Sequence, residues 1–221
     1  MKLIYIYDAL CGWCYGFAPT MRDFYQKNKN AFETIEVISG GMITGERIGA
    51  IGEVAPYIKT AYKDVENRTG VTFGKPFLKD ILEEGSAVFT SIPPSVALSI
   101  FKKEAQNNPK LAGEKNEQLL HFAEDLQKLI YFDGIVPQDY TKYGELAEKY
   151  DLDKTDFIEK MTNLEYEKLT QKDFQLSKDF GVNGFPTLII QKEEEYYLFA
   201  RGFVDLTEME KRFEAMRASI R

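Results

Sequence analysis

The chain opens on Leu3-Ile4-Tyr5-Ile6-Tyr7, a β-branched and aromatic run without turn residues, which is the pattern of a buried strand. Phe17, Met21, Phe24 and Tyr25 then recur at helical spacing, so a strand and a helix meet at the segment 8–14. Pro19 falls inside the helical pattern and is expected to kink that helix. Thr34 to Ser39 reads as a second strand, and Gly40-Gly41 after it reads most simply as a turn. At the far end Leu188-Ile189-Ile190 and Tyr196 to Arg201 read as two more strands, with Glu193-Glu194-Glu195 as a hairpin tip in water. Asp205-Leu206-Thr207-Glu208 has the form of a helix start, and Leu206, Met209, Phe213, Met216 and Ile220 make an amphipathic closing helix.

Between these ends the periodicity is helical throughout. Leu119, Leu120, Ala123, Leu126 and Ile130 form one stripe, and Leu169, Leu176 and Phe180 form another. Glu46–Arg68, Pro94–Gln106, Asp139–Tyr150 and Thr155–Gly181 are further predicted helices, bounded by Gly, Pro and Asn. Pro93-Pro94 reads as a helix start.

Composition narrows the class. At 221 residues the chain fits one domain, or one domain with a large insertion. With 28 Lys+Arg against 35 Asp+Glu the net charge is −7, a poor balance for neutralising phosphates, so no nucleic-acid partner is expected. A content of 44% hydrophobic and 14% aromatic residues supports a real core rather than disorder. No stretch approaches the roughly 20 apolar residues of a membrane span. The opening MKLIYIYD leaves no room for a signal peptide, and the expectation is a soluble cytoplasmic protein without a membrane partner.

The only two cysteines are Cys11 and Cys14, in Cys11-Gly12-Trp13-Cys14. Random placement would put two cysteines three apart about 0.9% of the time, so the spacing is itself a signal. A structural zinc site wants four N/S ligands, whereas the chain holds one histidine, His121, and no further cysteine. A purely structural disulfide over so short a loop is worth only roughly 2 kcal/mol. The reading left is a redox dithiol, in which one thiolate attacks a disulfide and the neighbouring thiol resolves the mixed intermediate. A strand, a tight turn and a helix put Cys11 at a helix N-terminus, where unpaired N–H groups and the dipole favour a thiolate. Cys14 lies one turn inside and is less exposed. Trp13, between them on a turn, suits a platform for substrate or glutathione. His121 reads as a satisfied helix residue.

Cys11-Gly12-Trp13-Cys14 followed by Tyr15-Gly16-Phe17-Ala18-Pro19 resembles the active-site helix of the thioredoxin superfamily. Gly181-Val182-Asn183-Gly184-Phe185-Pro186-Thr187-Leu188 resembles that superfamily's cis-proline loop. With Ser39-Gly40-Gly41-Met42 and Ser91-Ile92-Pro93-Pro94, the chain is most similar to the DsbA family, in its FrnE-like, predicted protein-disulfide isomerase branch. The resemblance implies an α/β thioredoxin fold built from residues 1–42 and 176–221, with an all-helical insertion, 43–175, between its second and third strands. It implies a thiol–disulfide oxidoreductase, reductase or isomerase, with Cys11 as nucleophile and Cys14 as resolving thiol. Trp13, Phe185 and Pro186 would shape a substrate groove in which the Phe185 backbone receives an extended strand. No metal or organic cofactor is required, glutathione can serve as co-substrate, and the partners are a disulfide-containing protein or small thiol and a reductant.

Two departures stand out. Tyr5 lies six residues before Cys11, where the family usually places a buried acid. Asp8 is the nearest carboxylate, and it reads equally as a proton relay or as a helix cap. The Gly-Trp dipeptide between the cysteines is none of the familiar ones. Two other function classes remain. A glutathione-dependent isomerase or transferase, of the kappa-class or hydroxychromene carboxylate isomerase type, commonly has serine at the position of Cys11 and lacks the second cysteine. A non-catalytic thioredoxin-fold adaptor predicts decay of the dithiol.

Overall fold

The computed structural model describes residues 1–107 and 115–219; Ile220, the last position of the closing stripe, lies outside them. The chain forms β1 (Lys2–Tyr7), α1 (Gly12–Asn28) and β2 (Thr34–Ser39), and then enters a mainly helical stretch. That stretch holds a two-residue strand β3 (Gly49–Ala50), α2 (Ala55–Thr69), a π-helical segment at Pro76–Glu83 and a second short strand β4 (Val88–Phe89). It continues through α3 (Ile92–Asn107), α4 (Lys115–Tyr131), α5 (Tyr140–Glu148), α6 (Lys154–Lys160) and α7 (Leu164–Asp179). Strands β5 (Thr187–Lys192) and β6 (Glu195–Arg201) and helix α8 (Leu206–Ser219) follow.

The long strands form one sheet in the order β2-β1-β5-β6, with β1 parallel to β2 and antiparallel to β5, and β6 antiparallel to β5. Strand β1 is covered on both faces, which is why its sequence is a continuous apolar run rather than an alternation. Leu3, Tyr5 and Tyr7 join Phe17, Met21 and Phe24 of α1 in the main core. Ile4 and Ile6 turn the other way, meeting Ile38 and Ile189 beneath Leu176, Phe180 and Phe185. The end of β2 is clamped by Asp173 of α7, which accepts the Ser39 N–H at 3.2 Å and pairs with Lys102 of α3 at 3.0 Å.

Three elements differ from the pattern reading. The helix expected from Glu46 begins only at Ala55. Gly49 and Ala50 instead pair with Phe89 and Val88, so the inserted stretch is helical apart from this short ladder. Gly52 lies so close to the Gly85 backbone that a Cβ there would sit 2.8 Å from the Gly85 carbonyl oxygen. Two glycines weaken a helix, while Pro56 fits the first turn of one, so the start moves downstream. The helix expected over Thr155–Gly181 is two helices. Asp153 accepts the Asp156 N–H at the start of α6, and Asn163 accepts the Glu165 N–H at the start of α7. A side-chain acceptor at each start satisfies donors that a continuous helix would not leave free. The π-helical segment was not legible in the periodicity. Helix α1 runs unbroken through Pro19, and Asp205 accepts the Glu208 N–H at 2.9 Å at the start of α8. Among the described residues no helix is long and apolar enough to cross a membrane.

Candidate active site

Cys11 is the N-cap of α1, with an extended backbone (φ −95°, ψ 110°), and its carbonyl accepts the N–H groups of Cys14 and Tyr15 at 3.0 and 3.1 Å. No side chain caps this helix and its first turn holds no acidic residue, so the Cys11 sulfur stands at its open positive end. Both cysteines are free thiols, Cys11 7% exposed and Cys14 fully enclosed. Burial pushes the Cys14 thiol well above its ordinary range, and the adjacent Cys11 pushes it in the same direction.

The loop before β5 reaches this turn from 174 residues away in the chain. The Cys11 thiol donates to the Phe185 carbonyl oxygen at 3.6 Å, and the Phe185–Pro186 peptide bond is cis. The Gly202 N–H donates to the Pro186 carbonyl at 2.7 Å, tying the loop to the end of β6. The Phe185 ring lies over Gly40, where a Cβ would fall 2.1 Å from the ring. The glycine that reads as a turn residue is therefore a clearance for Phe185.

Asp8 is fully buried. One carboxylate oxygen accepts the Leu10 N–H and the Ser91 hydroxyl, both at 2.9 Å, and the other accepts the Met42 N–H at 2.7 Å. Ser91 in turn accepts the Ile43 N–H at 2.9 Å. Burial raises the Asp8 carboxyl above the usual carboxylate range, and these hydrogen bonds oppose the rise without cancelling it. The side chain does not cap α1; its backbone carbonyl accepts the Cys11 N–H at 3.1 Å, and Gln127 donates to the same oxygen at 3.3 Å. Ser91, Met42 and Gln127 are site residues that sequence reasoning did not assign. Two of them stand in strings already noticed, Ser39-Gly40-Gly41-Met42 and Ser91-Ile92-Pro93-Pro94. The hydroxyls of Tyr5 and Tyr7, fully enclosed beside this cluster, have no hydrogen-bond partner among the described residues.

Trp13 is half-buried, its ring 6.3 Å from Phe203, and the Arg68 guanidinium of α2 lies over both rings at 5.2 and 5.7 Å. On a second flank of Cys11 the inserted stretch encloses a cavity of about 540 Å³, in whose walls Phe185 and Pro186 take no part. His121 sits half-buried on α4.

No family model matches this chain, and no curated protein matches it. Solved structures do. A candidate protein disulfide isomerase from Nitrosomonas europaea superposes with a TM-score of 0.80 at 21% identity, covering 100% of this chain and 98% of its own. The cytosolic disulfide reductase DsbM from Pseudomonas aeruginosa gives a TM-score of 0.73 at 21% identity over 100% and 98%. Its structure with GSH gives a TM-score of 0.69. A 2-hydroxychromene-2-carboxylate isomerase gives a TM-score of 0.61 at 14% identity over 99% and 94%. The chain has the thioredoxin fold in its DsbA-like form, with helices between the second and third long strands.

Proposed function

We propose that this DsbA-like fold is a thiol–disulfide oxidoreductase of the DsbA family, acting as a reductase or isomerase on disulfide-bearing proteins or small thiol adducts. The observation that carries the reading is the asymmetry of the pair. Cys11 caps a helix at a loop that can receive substrate, while Cys14 is sealed one turn behind it. Cys11 thiolate attacks one sulfur of a substrate disulfide and expels the other half as a thiolate, leaving a mixed disulfide. Cys14 loses its proton and attacks the Cys11 sulfur, forming the Cys11–Cys14 bond and releasing the second substrate thiolate. Two electrons pass to substrate through sulfur alone, and a thiol reductant restores the dithiol.

Asp8 acts as the proton relay for Cys14, because it is the carboxyl buried beneath the dithiol turn and burial raises its affinity for a proton. Trp13, Phe185 and Pro186 shape the groove, and the Phe185 backbone pairs with an extended substrate. Similarity to a cytosolic disulfide reductase solved with GSH supports a cytoplasmic setting and glutathione as co-substrate. Likeness to the chromene-carboxylate isomerase favours a second reading, glutathione-dependent isomerisation through Cys11 alone. Cys14→Ala separates the two. The two-cysteine reading expects mixed disulfides to accumulate at Cys11, visible as adduct masses on the intact protein. Turnover at the wild-type rate would establish the one-thiol chemistry instead.

A further inference from the structure

We propose that the cavity on the insertion flank of Cys11 is a specificity pocket for an aromatic arm carried by a small organic disulfide. The inference rests on the redox reading above and names the substrate class of that same site. A volume of about 540 Å³ lies in the range of small-molecule sites, larger than a single methyl or propyl arm would fill. Cys11 and Trp13 form part of its wall, so the cavity adjoins the reacting cysteine.

The rest of the wall is mainly apolar and includes six aromatic side chains. Tyr57, Tyr62, Val65, Phe73, Phe77 and Tyr131 come from α2, the π-helical segment and its approach, and the end of α4. Phe73 and Phe77 are packed against Tyr131, with ring centroids 5.1 Å away in each case, so the floor is rigid. The mouth is different. Val54 and Tyr57 are 50% and 70% exposed. Two exposed apolar groups side by side in the wall of a half-open, mainly apolar cavity mark a binding mouth rather than scattered surface hydrophobics. The charged residues of the wall are Glu46, Glu53 and Arg47, a net negative set that disfavours an anionic arm. Benzyl-like groups, neutral and planar, match this surface by offset and edge-on ring contact. In the reaction the arm stays on the sulfur attacked by Cys11, so pocket contacts are kept in the mixed disulfide and the polar half leaves first.

The test separates binding from redox turnover. Trp13 is the only tryptophan in the chain and stands in the wall, so its fluorescence reports occupancy directly. Titration with benzyl methyl sulfide, which cannot exchange, should give a saturable change in emission. With dithiothreitol as reductant, kcat/KM is compared for the mixed disulfide of benzyl thiol with 2-mercaptoethanol and for bis(2-hydroxyethyl) disulfide. Ala61→Phe, which fills the cavity from α2, should lower the ratio of these two values about tenfold and remove the fluorescence response. Tyr57→Ser, at an exposed position that does not endanger folding, should lower the ratio in the same direction. A response to the sulfide that neither variant alters, or equal kcat/KM for the two disulfides in wild type, overturns the pocket. Turnover of bis(2-hydroxyethyl) disulfide without any sulfide response overturns the pocket and leaves the redox reading standing. Saturable sulfide binding with no turnover of either disulfide overturns the redox reading and the substrate assignment with it.

Discussion

Cys11 stands between two flanks made of different material. One is backbone: the Phe185 carbonyl at 3.6 Å from the sulfur, behind a buried Pro186 held by the Gly202 N–H. The other is side chain: the aromatic cavity built by the inserted stretch. A backbone flank offers the same hydrogen-bonding groups to any extended chain, so it discriminates little between substrates. A side-chain flank reads shape and polarity, and there each added apolar group on a substrate changes affinity. The long strands of the sheet thus place the general chemistry, and the insertion between them is where selectivity can vary without disturbing it.

The largest effect is expected where both flanks share one support. Asp8 lies beneath the dithiol turn and accepts the Met42 N–H, and Met42 also lines the cavity. Asp8→Asn keeps an acceptor but removes the proposed proton relay, so resolution by Cys14 should slow about a hundredfold, the lower end of general acid–base effects. The loss should be equal for polar and aromatic disulfides, since the resolution step is common to both. Unequal losses in rapid-quench assays of the second step would tie Asp8 to one flank only. Stability follows the same group. A carboxyl raised in the folded state binds its proton more tightly there than in the unfolded chain, whose value is about 3.9. Its contribution is complete below that pH and is lost as pH rises through the folded value. Wild type should therefore lose more stability than Asp8→Asn between pH 4 and pH 7 in urea denaturation. Asp173, raised likewise by burial, is present in both proteins and cancels from the difference. Parallel curves would show that Asp8 is unperturbed.

Gly40→Ala strikes the backbone flank alone. The added Cβ falls 2.1 Å from the Phe185 ring, which is half-buried and can yield, so overpacking should cost about 1 kcal/mol. Moving the Phe185 carbonyl should lower kcat/KM for bis(2-hydroxyethyl) disulfide about tenfold, since a misplacement of roughly 1 Å can cost a hundredfold. The fluorescence response to benzyl methyl sulfide should persist. If the sulfide response fails together with turnover, the two flanks are one coupled surface and the contrast between them collapses.

The two flanks were also unequally legible in the sequence. The strand, the cysteine pair and the helix behind it are local patterns, and each is carried by fewer than 20 consecutive residues. The Phe185-Pro186 segment stands beside a strand of the same local kind. The insertion flank is assembled from residues between Met42 and Tyr131, whose apolar periodicity announces helices but not which faces leave space between them. Gly49 and Ala50 fall within a helical pattern in the sequence because their strand partners, Phe89 and Val88, are about 40 residues away. Ser91 stands in the Ser91-Ile92-Pro93-Pro94 string, yet its role depends on Asp8, 83 residues earlier, and no periodicity reports a polar pairing at that range. The capping alternative for Asp8 falls because Cys11 is the N-cap of α1 and no side chain caps that helix, a point that only the folded turn reveals.

The smallest effect, and the finest division of the comparison, is expected at Arg68. Its guanidinium comes from α2 and lies over Trp13 and over Phe203 beyond β6, so it bridges the insertion to the sheet side at the edge of the dithiol. The side chain is exposed, and a cation over a ring at such a site is worth about 0.5–1 kcal/mol. Arg68→Ala should therefore weaken benzyl methyl sulfide binding by roughly twofold to fivefold. It should also shift Trp13 emission to the red as the indole face meets water. Arg68→Lys keeps the charge but loses the planar stack, and an ammonium is more strongly hydrated than a guanidinium. If ring stacking holds Trp13 as a wall of the pocket, Lys should behave like Ala in both readouts. Full rescue by Lys would assign the effect to charge at the mouth. Trp13 would then be positioned by Phe203 and the α1 turn alone, and the insertion would govern the pocket without governing the tryptophan that the two flanks share.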